Sequence, residues 1–207
     1  MHSGLTKWQL WFYYVKAFLT ANDLNRYHAI DGRIGNIFVQ TVEARVFHNF
    51  RRDWHTRLQN ITGPSGRGRS KLRLYRSFKS DYATEQYCKM ILPPAHRSAF
   101  SKFRLGVAPI RIETGRYEGL NVESRVCPFC NNNSVESELH VMFNCNVYND
   151  LREELYAKAS MINNTFVDMQ DSNKCIYLFS STDSTVIRIC AKTCHNILQR
   201  RRVLLCR

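Results

Sequence analysis

The sequence predicts a mainly α-helical protein in which helical segments flank a small CCHC zinc-binding module. Three observations predict it. Apolar residues recur at helical spacing in several stretches. Gly and Pro clusters punctuate the chain between those stretches. Three cysteines and one histidine, Cys127, Cys130, His140 and Cys145, fall close together at metal-ligand spacing.

The composition allows a packed core. Of 207 residues, 44% are hydrophobic and 23% are charged, close to globular averages, which excludes wholesale disorder. The charge is far from balanced: 30 Lys and Arg stand against 17 Asp and Glu, a formal net of +13. Residues 1–120 hold 20 basic and 8 acidic residues, net +12, and residues 121–207 hold 10 and 9, net +1. Such an excess suits a polyanionic partner, because each neutralised phosphate releases counterions. A solubilising surface is the plainer reading.

In chain order, residues 7–21 read as a short aromatic-rich helix. The apolar stretch Trp8–Leu19 is too short to span a bilayer and is interrupted by Lys16. Gly32 and Gly35 break the next segment. A long helix is expected over 36–61, with Val39, Val42, Val46, Phe50, Trp54, Leu58 and Ile61 on one core-facing stripe. Gly63-Pro64-Ser65-Gly66 is the clearest linker. The basic segment after it mixes Arg67, Arg69, Lys71, Arg73, Arg76 and Lys79 with Leu72, Leu74, Tyr75 and Phe78. Cations interleaved with rings suit a nucleic-acid backbone; a surface helix with its Leu and Phe buried fits equally.

Helices are further expected over 81–92, stopped by Pro93-Pro94, and over 96–105, ended by Gly106. Residues 109–117 read as extended, with Gly115 as a turn. Beyond the cysteine cluster, 148–159 is helical, 175–179 is short and apolar, and a final helix runs over 184–202. In that helix Ile187, Cys190, Cys194, Ile197 and Arg201 recur on one face, so Cys190 and Cys194 are read as core rather than as a second metal site. The domain scheme is 1–62 helical, 67–120 basic and helical, 121–150 the zinc module, and 151–207 helical.

Cys127-Pro128-Phe129-Cys130 is a C-x2-C turn, and zinc takes four thiolate or imidazole ligands tetrahedrally. His140 and Cys145 are five residues apart, so an unbroken α-helix would not align them; the helix is expected to end between them. Four protein ligands leave no open position, the pattern of one structural Zn2+. Three cysteines committed to metal point to a reducing, intracellular compartment, cytoplasmic or nuclear.

With these residues in hand, the run from His96 to Gly106, then Glu113-Thr114-Gly115-Arg116-Tyr117, the CCHC cluster and Tyr148-Asn149-Asp150-Leu151-Arg152 resemble the region that follows the polymerase in non-LTR (LINE-type) retrotransposon proteins. The likeness extends to residues 72–79 and, more loosely, to 36–61 and 199–202. It implies RNA or DNA binding during target-primed reverse transcription, alongside a polymerase domain of the same element. The nine-residue gap before His140 is longer than that of retroviral zinc knuckles. The chain has no Asp-Asp pair, so no polymerase motif occurs, and the expected role is noncatalytic. Arg67, Arg69, Lys71, Arg73, Arg76, Lys79, Lys102, Arg104, Arg111 and Arg116 are the candidates for phosphate contact. No membrane or small-molecule substrate is expected. The rival readings are a zinc-stabilised scaffold for protein–protein contact, and a tail that completes a polymerase on another chain.

Overall fold

A computed structural model describes residues 7–25, 36–59 and 72–206. The chain divides into two compact units, residues 1–57 and 58–207. The linker at 63–66 and the candidates Arg67, Arg69 and Lys71 lie outside the described residues.

The first unit holds α1 (Lys7–Ala21) and most of α2 (Asn36–Gln59). The end of α1 is set by Asp23, whose φ of 57° is left-handed. There Leu24 N–H bonds Leu19 O at 2.8 Å and Asp23 N–H bonds Thr20 O at 3.2 Å, a Schellman closure that satisfies the last carbonyls. Leu19 and Leu24 are both buried. Asn49 of α2 donates to the Asn22 side chain at 3.2 Å. The apolar stripe expected to be core is only partly covered: Val39 is 44% exposed and Phe50 52%. Two helices give such a stripe few surfaces to bury against.

The second unit is helical throughout its core, with α3 (Tyr75–Phe78), α4 (Gln86–Lys89), α5 (Pro94–Arg104), α6 (Arg111–Tyr117), α7 (Asn149–Ile162), α8 (Asp171–Ser180) and α9 (Ser184–Leu205). Among the described residues there is no strand, only an isolated antiparallel bridge between Val126 and Val135. The mainly α architecture around a small Cys/His module is therefore the one the sequence predicts. The central helix is α9, which packs on α5, α7 and α8. Its start is capped by Asp183, whose carboxylate accepts from Thr185 N–H at 2.8 Å and Val186 N–H at 2.9 Å. Ile187, Cys190, Cys194, Ile197 and Arg201 are all buried along it, as their spacing required, and the two thiols sit in the hydrophobic core. Phe100 and Phe103 of α5 lie against Phe179 of α8, with ring centroids 5.4 and 6.3 Å apart.

Three local expectations are corrected. Of the helix expected over 81–92, only Gln86–Lys89 forms. Pro93-Pro94 disfavours helix before it, and Glu85 is extended so that its carboxylate can meet Arg104 at 2.7 Å and Lys79 at 2.6 Å. Residues 109–117 are not extended: Arg111–Tyr117 is α6. A partner remote in sequence supplies the reason. Glu136 accepts the N–H groups of Arg111, through its carboxylate at 2.6 Å, and of Ile112, through its main-chain oxygen at 3.0 Å. These satisfy amides that open the helix. The short apolar stretch 175–179 belongs to the longer α8. Among the described residues, no helix is long and apolar enough to cross a membrane.

Candidate metal centre

The bridge Val126–Val135 closes a tight loop that presents Cys127-Pro128-Phe129-Cys130. Cys127 N–H bonds Ser134 O at 2.9 Å, Glu136 N–H bonds Arg125 O at 2.9 Å, and Asn133 takes the left-handed turn position with φ 46°. Asn is one of the few non-Gly residues that accepts that conformation readily. The second pair of donors comes from the run after Ser137, whose hydroxyl accepts His140 N–H at 3.2 Å at the start of a short helical segment.

That segment ends between His140 and Cys145, as expected: its last residue is Asn144, and Cys145 is its extended C-cap. It widens into a π-helical turn over His140–Asn144, closed by Cys145 N–H to His140 O at 2.7 Å. In such a turn the bond runs from residue i+5 to i, so residues five apart face the same side. The wide turn brings His140 and Cys145 together as the helix ends at Asn144.

The ligand atoms of Cys127, Cys130, His140 and Cys145 all lie within 4.8 Å of one another and could hold one metal ion. Cys127 Sγ is 3.9 Å from Cys145 Sγ, and Cys130 Sγ is 3.4 Å from His140 Nε2. Cys127, His140 and Cys145 are buried and Cys130 is half-buried. Burial, with Cys127 and Cys130 as neighbours, pushes the Cys145 thiol up to about 12. Burial also raises Cys127, and it lowers His140 against the opposing pull of Glu136. The pocket therefore disfavours bare thiolates and an imidazolium together, the electrostatics of a site that ionises its thiols only around a cation.

Charged groups behind the donors fix them in place. Arg152 of α7 donates to the main-chain oxygens of Cys145 and Tyr148, the latter at 3.2 Å. Glu136, fully buried, holds Arg201 of α9 through two bonds of 2.9 Å. The Arg201 guanidinium also lies 5.5 Å from the centre of the Phe129 ring, inside the C-x2-C turn. Arg125 donates to Ile112 O at 2.8 Å and to Leu120 O at 2.7 and 3.1 Å, tying the loop to α6. Sequence reading gave no role to Glu136, Glu138, Arg125 or Arg201 here. The one available signal was two carboxylates shortly before His140 in a basic chain.

The basic candidates are placed as follows. Arg73 is paired with Glu138 and donates to Gly106 O at 3.2 Å. Burial raises the Glu138 carboxyl, and Arg73 pulls it partly back. Arg104 is buried, paired with Glu85, and surrounded by the rings of Tyr75, Phe78, Tyr87 and Phe100 at 4.6–5.8 Å. This arrangement makes it a core cation rather than a surface one. Lys79 meets Glu85, Arg111 meets Glu118 at 2.6 Å, and Arg116 meets Glu113 at 3.1 Å. Lys102 is exposed and Arg76 half-buried, and neither has an ion-pair partner among the described residues. Tyr75 and Phe78 are half-buried, and both pack around Arg104.

No family model matches this chain, and neither does any curated protein or solved structure.

Proposed function

We propose that this chain is a noncatalytic, zinc-stabilised nucleic-acid-binding module, of the kind that its resemblance to the tail of non-LTR retrotransposon reverse transcriptases implies. The convergence of Cys127, Cys130, His140 and Cys145 carries the reading. Zinc bonds of about 2.3 Å to sulfur and about 2.0–2.1 Å to nitrogen give tetrahedral edges of about 3.8 Å between sulfurs and about 3.6 Å between sulfur and nitrogen. The observed 3.9 and 3.4 Å fit those edges. A donor set rich in thiolate favours zinc over hard cations such as magnesium or calcium. Four protein donors leave no place for a reactive water, so a bound ion would cross-link the loop and the π-turn rather than do chemistry.

The charge supports the partner. Ion pairs such as Glu85–Arg104 and Glu136–Arg201 consume equal numbers of each sign, so the excess of +13 remains on the rest of the molecule. RNA or DNA is the partner that such an excess suits, with a polymerase domain of the same element beside it, inside the cell. A second reading, a scaffold for protein contact, is favoured by the exposed apolar residues of the first unit: Tyr14 at 62%, Phe18 at 45% and Val39 at 44%.

Elemental analysis and salt titration test both parts. The purified chain should carry about one zinc per molecule; Cys130→Ser should lose it and Cys194→Ser should keep it. The zinc-loaded chain should bind RNA or DNA of any sequence at micromolar or weaker Kd at physiological salt, with affinity falling steeply as salt rises. A folded, zinc-loaded chain that ignores both nucleic acids at low salt points to the scaffold instead.

A further inference from the structure

Between α5 and α9 runs an open groove of about 490 Å³. Its floor is apolar, made by the buried Ala99 and the half-buried Leu198, and the exposed Pro109 also lines it. Lys102 stands on the α5 wall and Arg202 on the α9 wall, both exposed. At its lining stands His195, whose ring lies 5.0 Å from that of His96. No carboxylate lines the groove.

Two cations of this groove are left without an ion pair by the rest of the described fold. Of the terminal arginines, Arg200 is paired with Asp150 and Arg201 with Glu136. Arg202 and Lys102 have no ion-pair partner among the described residues. Two unpaired cations on facing walls, with an apolar floor between them, complement a chain that alternates anions with flat apolar rings.

We propose that the groove between α5 and α9 is a binding site for single-stranded RNA or DNA, with Lys102 and Arg202 on the phosphates and a base over the apolar floor beside His195. The inference rests on the nucleic-acid reading above and specifies where that contact is made. A duplex does not suit it: duplex grooves admit a projecting helix or ribbon, whereas this surface is concave. A single strand can lay its backbone along a basic cleft and place a ring against imidazole.

The test uses the full chain, zinc-loaded, with fluorescently labelled oligo-U and oligo-dT and a duplex control, over a range of salt. Lys102→Gln with Arg202→Gln should flatten the log–log salt slope by about 1.4, two contacts at about 0.7 each. At 0.1 M salt that slope difference amounts to about 25-fold in affinity against a 1 M reference. Lys89→Gln with Lys158→Gln removes the same charge from exposed positions that do not line the groove, and should leave the slope unchanged. Ala95→Trp, at an exposed position on the groove wall, should lower single-strand affinity with no change in charge. Circular dichroism melts confirm that each variant is folded. If both double variants lose affinity equally, or Ala95→Trp binds as the wild type does, the groove is not the site and the nucleic-acid reading stands. If the wild type ignores single strands, both fall. Seating of an acidic helical peptide in the groove, with no single-strand binding, overturns the proposal in favour of a protein partner.

Discussion

The clamp between Glu136 and Arg201 offers a sharp test of how the cysteine module is held. Glu136 is 0% exposed and Arg201 7%, and two bonds of 2.9 Å join them. Arg201→Met keeps the aliphatic stem and removes the guanidinium. Glu136 is then left buried, its carboxylate held by the Arg111 N–H at 2.6 Å. Stranding one member of a buried pair costs about 3–5 kcal/mol. Glu136→Gln keeps an acceptor for Arg111 and strands the cation instead, at about 1.5–3 kcal/mol. With both changes no charge is stranded. The double variant should therefore lie at least about 1.5 kcal/mol above the sum of the singles. Urea unfolding of the zinc-loaded chain, followed by circular dichroism with slopes compared across variants, reads all four corners of the cycle. Additive losses, or an Arg201→Met cost below about 1 kcal/mol, would refute the clamp.

Three further outcomes are expected. Gly115→Ala should destabilise by about 1–3 kcal/mol in the same assay, because a new Cβ would stand 2.7 Å from Arg125 Cγ, on a side chain pinned by three carbonyl bonds; an unchanged midpoint would mean Arg125 can yield. Arg152→Met removes the donor that holds the Cys145 carbonyl, and competition with a chromophoric chelator should show metal affinity falling about 10–100-fold. The metal-stripped chain should be most stable in a window near neutral pH. His140 and His96 are depressed in the fold, so stability is lost as pH falls below the unfolded histidine value of about 6.5. The thiols of Cys127, Cys145, Cys175 and Cys194 are raised, so stability is lost again as pH rises above the unfolded value of about 8.5. Zinc should remove the part of the alkaline loss owed to Cys127 and Cys145 and steepen the acid loss, since protons compete with the metal. Urea midpoints from pH 5 to 10, with zinc or with chelator, test this. Stripped-chain stability that climbs steadily through pH 9 would contradict it.

The sequence by itself determined what depends on near neighbours. Helical periodicity placed α1, α2, α5, α7 and α9, because each turn repeats within a few residues. Residue type and spacing nominated Cys127, Cys130, His140 and Cys145, because a C-x2-C turn is a local geometry. Tertiary structure decided what depends on partners far along the chain. Residues 111–117 became helix because Glu136 accepts their opening amides. His140 and Cys145 faced one another because of the widened π-turn over His140–Asn144. The fates of the basic residues were decided in the same way. Arg73 and Arg201 each find their carboxylate 65 positions away, so both were drawn into ion pairs within the fold, whereas Lys102 and Arg202 were left facing a groove. A count of cations fixes net charge, but a buried carboxylate within reach decides which of them are spent inside the fold. That proximity exists only once the helices have packed.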